Sequence, residues 1–326
     1  MKRWFICLAA AIVLMATGCG DRAPSIPGAD GSDAPKTQLD IAVIPKGLSH
    51  QFWMTIKAGA DAGAEETGAH IIWQGPAKET EIAQQINIVQ DMITRRVDGI
   101  VLAACDENAL ASAIEQADRA GIPVVMMDSG VKSEIPKSLV ATDNIAGAKK
   151  AAQVLAELMG GSGEVGLMPF ISGAATSELR EQGFKEGIAE YPDIRLVAVN
   201  YSQSDPDTAM NVTADMLTAH PNLGGIFSAN EPGAIGAAQA LRAAGKTGDV
   251  KLVAFDASGE QLAALEDGAI QALIVQNPFK MGYEAVKTVV DVIRGKEVPQ
   301  RVDTGVTVIT PDNINDPDVQ ALLSAG

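Results

Sequence analysis

The sequence predicts an α/β protein built as two doubly wound parallel-sheet domains. Three observations carry that prediction. From about residue 39, short β-rich runs alternate with helical patterns; the runs are apolar almost throughout rather than at every second position; and the alternation breaks once, halfway along, at GGSGEVG (160–166). Near-continuous apolar strands separated by helices mean parallel sheets covered on both faces. About ten such strands would also suit a barrel of eight strands and eight helices, and the midway break favours two sheets.

The strands of the first half are DIAVIPK (40–46), AHIIWQG (69–75), VDGIVLAAC (97–105), PVVMMDS (123–129) and SLVATD (138–143). Between them, EIAQQINIVQDMITRR and ENALASAIEQADRAG place apolar residues at three- and four-residue spacing, the helical period. The second half repeats the scheme with EVGLMPF, IRLVAVNY, GGIFSAN, VKLVAFD and ALIVQN. GSGEVG (161–166) matches G-x-G-x-x-G but precedes its strand and opens no helix, so it reads as a turn between domains rather than a dinucleotide site.

The N-terminus has the layout of an export signal: two basic residues in MKRW, the apolar run FICLAAAIVLMA, then small residues before Cys19. The run is shorter than the about 20 apolar residues a membrane-spanning helix needs. Ala16-Thr17-Gly18-Cys19 resembles a bacterial lipobox, with Cys19 as the lipidated residue. The expectation is a signal peptide over 1–18 and a flexible tether over 19–38, where Gly, Pro, Ser and Asp dominate.

Composition narrows the chemistry. With 25 Lys+Arg against 41 Asp+Glu the net charge is −16, and no basic run offers a footprint for a phosphate backbone, so nucleic acid is not an expected partner. Of the three cysteines, Cys7 falls in the signal and Cys19 in the lipobox, leaving Cys105 as a small buried side chain. No Cys/His cluster has metal spacing, no histidine sits in a nucleophile elbow or catalytic pair, and no cofactor is implied. His70 opens a strand and His220 stands where a helix should end.

In open parallel sheets ligands bind beyond the carboxyl ends of the strands. The polar residues that follow the apolar runs are Lys46 with Ser49 and His50, Gln74, Asp106, Asp128 with Ser129, Ser172, Tyr201 with Gln203, Asn230 with Glu231, Asp256 and Gln276. Amides, carboxylates and hydroxyls of this kind suit an uncharged, hydroxyl-rich ligand. Loops are wet, so any single member is also explained by solvent; the weight lies on Asp128, Asn230, Asp256 and Gln276, each ending a strongly apolar strand. Phe52 and Trp53 open the helix after the first strand. Neighbours on a helix point about 100° apart, so the two rings cannot share one stripe, and spacing to Ile56 leaves open which of them packs inward.

Seven stretches in order carry a resemblance that covers almost the whole exported chain: IAVIPKGLSHQFWMTIKAGA, GIPVVMMDS, LVATDNIAGAKKAA, TSELREQGF, MLTAHPNLGGIFSANEPGAIGAAQALRAAGK, LVAFDASGE and ALIVQNPFKMGYEAV. The sequence resembles the ribose-binding type of sugar-binding proteins, within the type I periplasmic binding proteins of ABC transporters. The resemblance implies two α/β lobes joined by a three-segment hinge, with crossings near Thr142, Gln276 and Thr304. Residues 39–142 with 277–304 would form one lobe and 143–276 with 305–326 the other.

By the same resemblance, Phe52 and Trp53 match the aromatic pair against the sugar ring, Trp53 foremost, and His50 stands where an amide is common. Asp128 matches the acid that binds sugar hydroxyls, Arg180 the arginine that does so from the other lobe, and Asn230, Asp256 and Gln276 the remaining polar contacts. Four departures count against ribose itself: Ser129 in place of an arginine, Lys46 in place of a small hydroxyl residue, His50 in place of the amide, and Ser204 where a third aromatic is expected. Two readings of Lys46 stand: a pocket cation that points to an acidic sugar, or a solvated loop residue. For Arg180 the plain alternative is a surface charge paired with Glu178 or Glu181.

The implied function is an extracytoplasmic, monomeric, lipid-anchored binder that closes on a small sugar or polyol and delivers it to the membrane subunits of an ABC importer. Its implied place is the periplasm or the outer face of the cytoplasmic membrane. Replacing Asp128 or Asp256 by Ala is expected to abolish binding with little loss of folding. A sensor presenting its ligand to a chemoreceptor or kinase would share this sequence. A repressor of the lactose type would need a helix-turn-helix where the signal stands. A secreted hydrolase would need an acid–base constellation that the motifs do not supply.

Overall fold

The computed structural model describes residues 38–324. The expected signal, Cys19 and all but the last residue of the tether lie outside the described residues. No helix of the described residues is long and apolar enough to cross a membrane.

Strands and helices alternate. The first run is β1 (Asp40–Ile44), α1 (Gln51–Thr67), β2 (His70–Trp73), α2 (Ile82–Thr94), β3 (Gly99–Leu102), α3 (Ala111–Arg119), β4 (Val124–Met127) and β5 (Leu139–Ala141). The second is α4 (Asn144–Leu158), β6 (Gly163–Met168), α5 (Ala175–Ile188), β7 (Ile194–Val199), α6 (Pro206–Ala219), β8 (Leu223–Ser228), α7 (Glu231–Ala243), β9 (Lys251–Phe255), α8 (Gly259–Glu266) and β10 (Ala272–Val275). The chain ends with α9 (Pro278–Ile293), β11 (Arg301–Asp303), β12 (Thr307–Ile309) and α10 (Pro317–Leu323).

Two six-stranded sheets result, in the orders β11-β5-β4-β3-β1-β2 and β12-β10-β9-β8-β6-β7. Every pairing is parallel except β10 with β12. The orders are equivalent position by position, so the second sheet repeats the first. Two sheets rather than a barrel agree with the midway break, although β6 begins at Gly163, inside GSGEVG rather than after it. β11 and β12 are additional to the runs legible in the sequence. Each is three residues long at a sheet edge, too short for an apolar pattern to register.

Helices cover both faces of each sheet. On the first, α1 packs against α9, which lies over β3, β4 and β5, while α2 packs against α3 on the other face. On the second, α4 packs with α5, and α6 with α7. The strands are buried end to end, as in GIVL of β3, VVMM of β4 and ALIV of β10, because neither face meets water. Burying those apolar runs is the main stabilisation of both layers.

α1 and α9 touch through glycines. A Cβ on Gly59 would lie 1.9 Å from the Phe279 carbonyl oxygen, and one on Gly282 would lie 2.0 Å from that of Ile56. The chain crosses between the sheets after β5, after β10 and between β11 and β12. Two crossings lie side by side: the Thr142 and Thr304 hydroxyls are 3.2 Å apart, and Thr142 Oγ1 also donates to the Gly305 carbonyl at 3.3 Å.

Candidate functional site

Strands of both sheets end at one small cavity, lined by Lys46, His50, Phe52, Trp53, Glu79, Asp128, Phe170, Arg180, Asn230, Glu231, Pro232, Asp256 and Gln276. Lys46 follows β1, Asp128 β4, Asn230 β8, Asp256 β9 and Gln276 β10, while His50, Phe52 and Trp53 stand at the start of α1. Every residue singled out above as a ligand contact therefore reaches this one place. Of the other strand-end residues, Ser49, Gln74, Asp106, Ser129, Ser172, Tyr201 and Gln203 do not line it. Asp106 instead accepts the backbone N–H groups of Asn108 and Ala109, and the Tyr201 hydroxyl donates to Glu181.

The aromatic pair has divided its work. Trp53 is 1% exposed, packed in the core between the first sheet and α1, and still walls the cavity. Phe52 is half-buried and meets it edge-on, ring centroids 5.0 Å apart at 82°. A third ring comes from Phe170 just beyond β6, while Ser204, the position where a third aromatic is expected, is a buried hydroxyl bonded to Asn230.

Lys46 is a buried cation, not a solvated loop residue. Its Nζ lies 2.9 Å from Asp128 Oδ2 and donates to Thr176 Oγ1 at 2.9 Å. It also stands 5.2 Å from the Phe170 ring centroid and 5.6 Å from that of Trp53. Arg180 is 2% exposed, so the surface-charge alternative fails. Its Nε donates to Asn144 Oδ1 at 2.8 Å, its Nη1 to the Ala229 carbonyl at 2.7 Å, and its guanidinium lies over Phe255 at 4.0 Å. Burial lowers its pKa, opposed by Asp256, Asp128 and Glu79.

The second-sheet groups form a chain. Asn230 caps α7, its Oδ1 accepting the Gly233 N–H, and its Nδ2 donates to Ser204 Oγ at 2.8 Å. Asp256 accepts Gln276 Nε2 at 2.7 Å and the Glu231 N–H at 3.0 Å. Gln276 Oε1 is a buried acceptor with no protein partner, a place for a ligand hydroxyl to donate. Burial raises the Asp256 carboxyl, against the pull of Arg180 and the Gln276 hydrogen bond. Burial likewise raises Glu231, whose two oxygens accept the N–H groups of Gln51 and Phe52 at 3.1 Å each and so cap α1 from the opposite sheet.

Glu79 escapes a reading of strand ends because it sits in the loop between β2 and α2, where no apolar run marks it. Its Oε1 accepts Trp53 Nε1 at 2.8 Å and lies 3.6 Å from His50 Nδ1, and its Oε2 accepts the Ser204 hydroxyl at 2.9 Å. Burial pushes its pKa up, but the charges of Lys46 and His50 and the hydrogen bond from Trp53 outweigh that and hold it at about 2. Phe170 and Pro232 escape as well, because polarity at strand ends does not mark apolar side chains. The same rule applied to apolar residues finds Phe170.

The cavity therefore offers three aromatic faces, four carboxylates, and two cations already engaged by protein oxygens. Among the described residues no group of three or more His, Cys, Asp or Glu is placed to hold a metal ion. Cys105 is fully buried and burial raises its thiol far above the ordinary range, which leaves it unreactive.

Residues 41–297 match the family model described as periplasmic binding protein domain. The chain is 30% identical over 274 residues to the ribose import binding protein RbsB of Escherichia coli (strain K12), covering 82% of this chain and 90% of that protein. It superposes on an ABC transporter solute binding protein from Agrobacterium vitis with bound D-fucose, with a TM-score of 0.84, 37% identity, and coverage of 86% of this chain and 98% of that one. A carbohydrate transporter solute binding protein from Agrobacterium radiobacter in complex with D-arabinose matches with a TM-score of 0.86, 32% identity, and coverage of 88% and 99%.

Proposed function

Since the chain belongs to the periplasmic binding protein family, as a sugar-binding member of the kind that serves ABC importers, we propose that it captures one small uncharged sugar or polyol between its two sheets. The carrying observation is the engaged state of Lys46: with Asp128 2.9 Å away, its charge is already balanced inside the site. Glu79, Asp128, Glu231 and Asp256 outnumber Lys46, Arg180 and a protonated His50, itself 3.6 Å from Glu79 Oε1, around the cavity. A sugar acid would add a carboxylate to that excess and find no unengaged cation, whereas hydroxyls can donate to the carboxylates and to Gln276 Oε1.

The closing bodies we propose are 39–142 with 277–304 and 143–276 with 305–326. Neither surrounds a small ligand, so only the closed form makes both sets of contacts, and binding favours closure by that difference. The transporter's membrane subunits then read the spacing of the two lobes. We further propose a monomer exported by its signal, lipidated at Cys19, and held at the outer face of the cytoplasmic membrane or in the periplasm. The protein binds and releases; the relatives named above are binding proteins, and no catalytic step is proposed.

A thermal-shift screen against pentoses, hexoses, polyols and sugar acids tests this reading, because a ligand that binds the folded state raises the melting temperature. A neutral sugar or polyol should raise it and the matching sugar acids should not. Stabilisation by acids alone would overturn the charge argument, and none by any member would overturn the sugar reading.

A further inference from the structure

Glu79 is the one cavity carboxylate whose two oxygens serve different lobes through side chains. Oε1 holds Trp53 Nε1 at 2.8 Å, within the part of the chain that carries the first sheet. Oε2 accepts the hydroxyl of Ser204 at 2.9 Å, from the loop between β7 and α6 of the second. Ser204 is itself fixed: it accepts Asn230 Nδ2 at 2.8 Å, and Gln203 and Ser204 both hold left-handed backbone, at φ 56° and 54°. Two successive non-glycine residues in that region are a costly turn, maintained where surrounding contacts over-determine it. The turn delivers the Ser204 hydroxyl to Glu79.

We propose that Glu79 is a positioning residue that couples the tryptophan wall of the sugar cavity to closure of the cleft, one oxygen orienting the indole and the other taking Ser204 only when the lobes meet. This rests on the sugar-binding reading above. A sugar seated against Trp53 holds the indole, the indole N–H holds the carboxylate, and the carboxylate is then aimed at the opposite lobe. A charged acceptor suits the task, because hydrogen bonds to ionised groups are about twice as strong as neutral ones. Lys46 and His50 keep that charge in place despite its burial. Glu231 bridges the same cleft by capping α1, so closure survives loss of the Glu79 contact in weakened form.

The test uses the full chain with Ser204→Ala, Glu79→Gln and the double variant, folding being checked by circular dichroism. Calorimetry with D-fucose, D-arabinose and D-ribose should show Ser204→Ala weakening the tightest of them about tenfold, the size expected for a hydrogen bond to a charged acceptor. The double variant should bind no more weakly than Glu79→Gln. In a background where Trp4 and Trp73 are Phe, Trp53 emission should shift with Glu79→Gln and stay unchanged with Ser204→Ala. Unchanged affinity in Ser204→Ala, or additive losses in the double variant, overturns the proposal. If none of the three sugars binds, a ligand that raises the melting temperature in the thermal-shift screen replaces them in the same titrations; no ligand at all in that screen overturns the sugar reading and this proposal with it, an outcome distinct from binding that Ser204→Ala leaves unchanged.

Discussion

Asp128 and Asp256 occupy the same place in the two sheets: each directly follows the third strand in its sheet's order, β4 and β9, and each holds left-handed backbone, at φ 59° and 74°. Asp tolerates that region because its short polar side chain bonds locally, whereas Ala there adds roughly 1–2 kcal/mol of strain. The Ala replacements anticipated from sequence would therefore mix a folding loss into a binding loss. Asn keeps both shape and backbone tolerance. Asp256→Asn should weaken sugar binding at least about tenfold while the melting temperature falls little; Asp128→Asn should weaken binding as much but also lower the melting temperature, because it leaves the buried Lys46 charge without its partner. Calorimetry and thermal melts together check this; affinity unchanged in both variants would remove the aspartates from the ligand contacts.

The Lys46–Asp128 pair is buried on both sides, 4% and 3% exposed. Removing one partner strands the other. Lys46→Met should cost about 3–5 kcal/mol in urea unfolding, and adding Asp128→Asn should recover most of it. A single variant as stable as the parent would mean that water reaches the carboxylate.

At the α1–α9 contact, Gly282→Ala places a methyl 2.0 Å from the Ile56 carbonyl oxygen, which is backbone and cannot rotate away. The helices must separate and loosen the packing around Met281, Ala285 and Val286. A loss of about 1–3 kcal/mol in chemical unfolding is expected. A loss below about 0.5 kcal/mol would show that the helices slide apart without consequence.

His50 should titrate above its ordinary value of 6.5: burial opposes its charge, but the adjoining Glu79 and the charges of Glu231 and Asp256 outweigh it. Because the folded value is the raised one, the stability from charged His50 is fully present below pH 6.5 and is lost as pH rises through the folded value. Unfolding below and well above that point should show the loss in the parent and its absence in His50→Gln. An NMR titration placing the imidazole below 6.5 would contradict the assignment.

The sheets were legible because strands buried on both faces must be apolar throughout, as β3, β4 and β10 are. The edges were not, since Arg301–Asp303 and Thr307–Ile309 are too short to show a period. Strand ends marked Lys46, Asp128, Asn230, Asp256 and Gln276, where parallel sheets open to ligand. Family likeness rather than pattern distinguished Arg180, because in ATSELREQGF its neighbours Glu178 and Glu181 make it look like a solvated helix charge. Glu79 had neither signal. Its importance comes from what folds onto it, Trp53 from one side and Ser204 from the other, and neither is near it in the chain.

The face of the first sheet that α1 covers is completed by α9, a helix made after the whole β6–β10 series, and its edge by β11. The first strands synthesised thus belong to the layer finished last. A chain that has emerged only as far as β10 can assemble most of its second sheet from contiguous segments, yet leaves α1 and β3–β5 without the helix that seals them. Non-local closures of this kind form slowly, because the loop entropy is lost before the contact is gained. The order of synthesis and the order of completion are reversed, so the half of the molecule that begins the chain waits for its end.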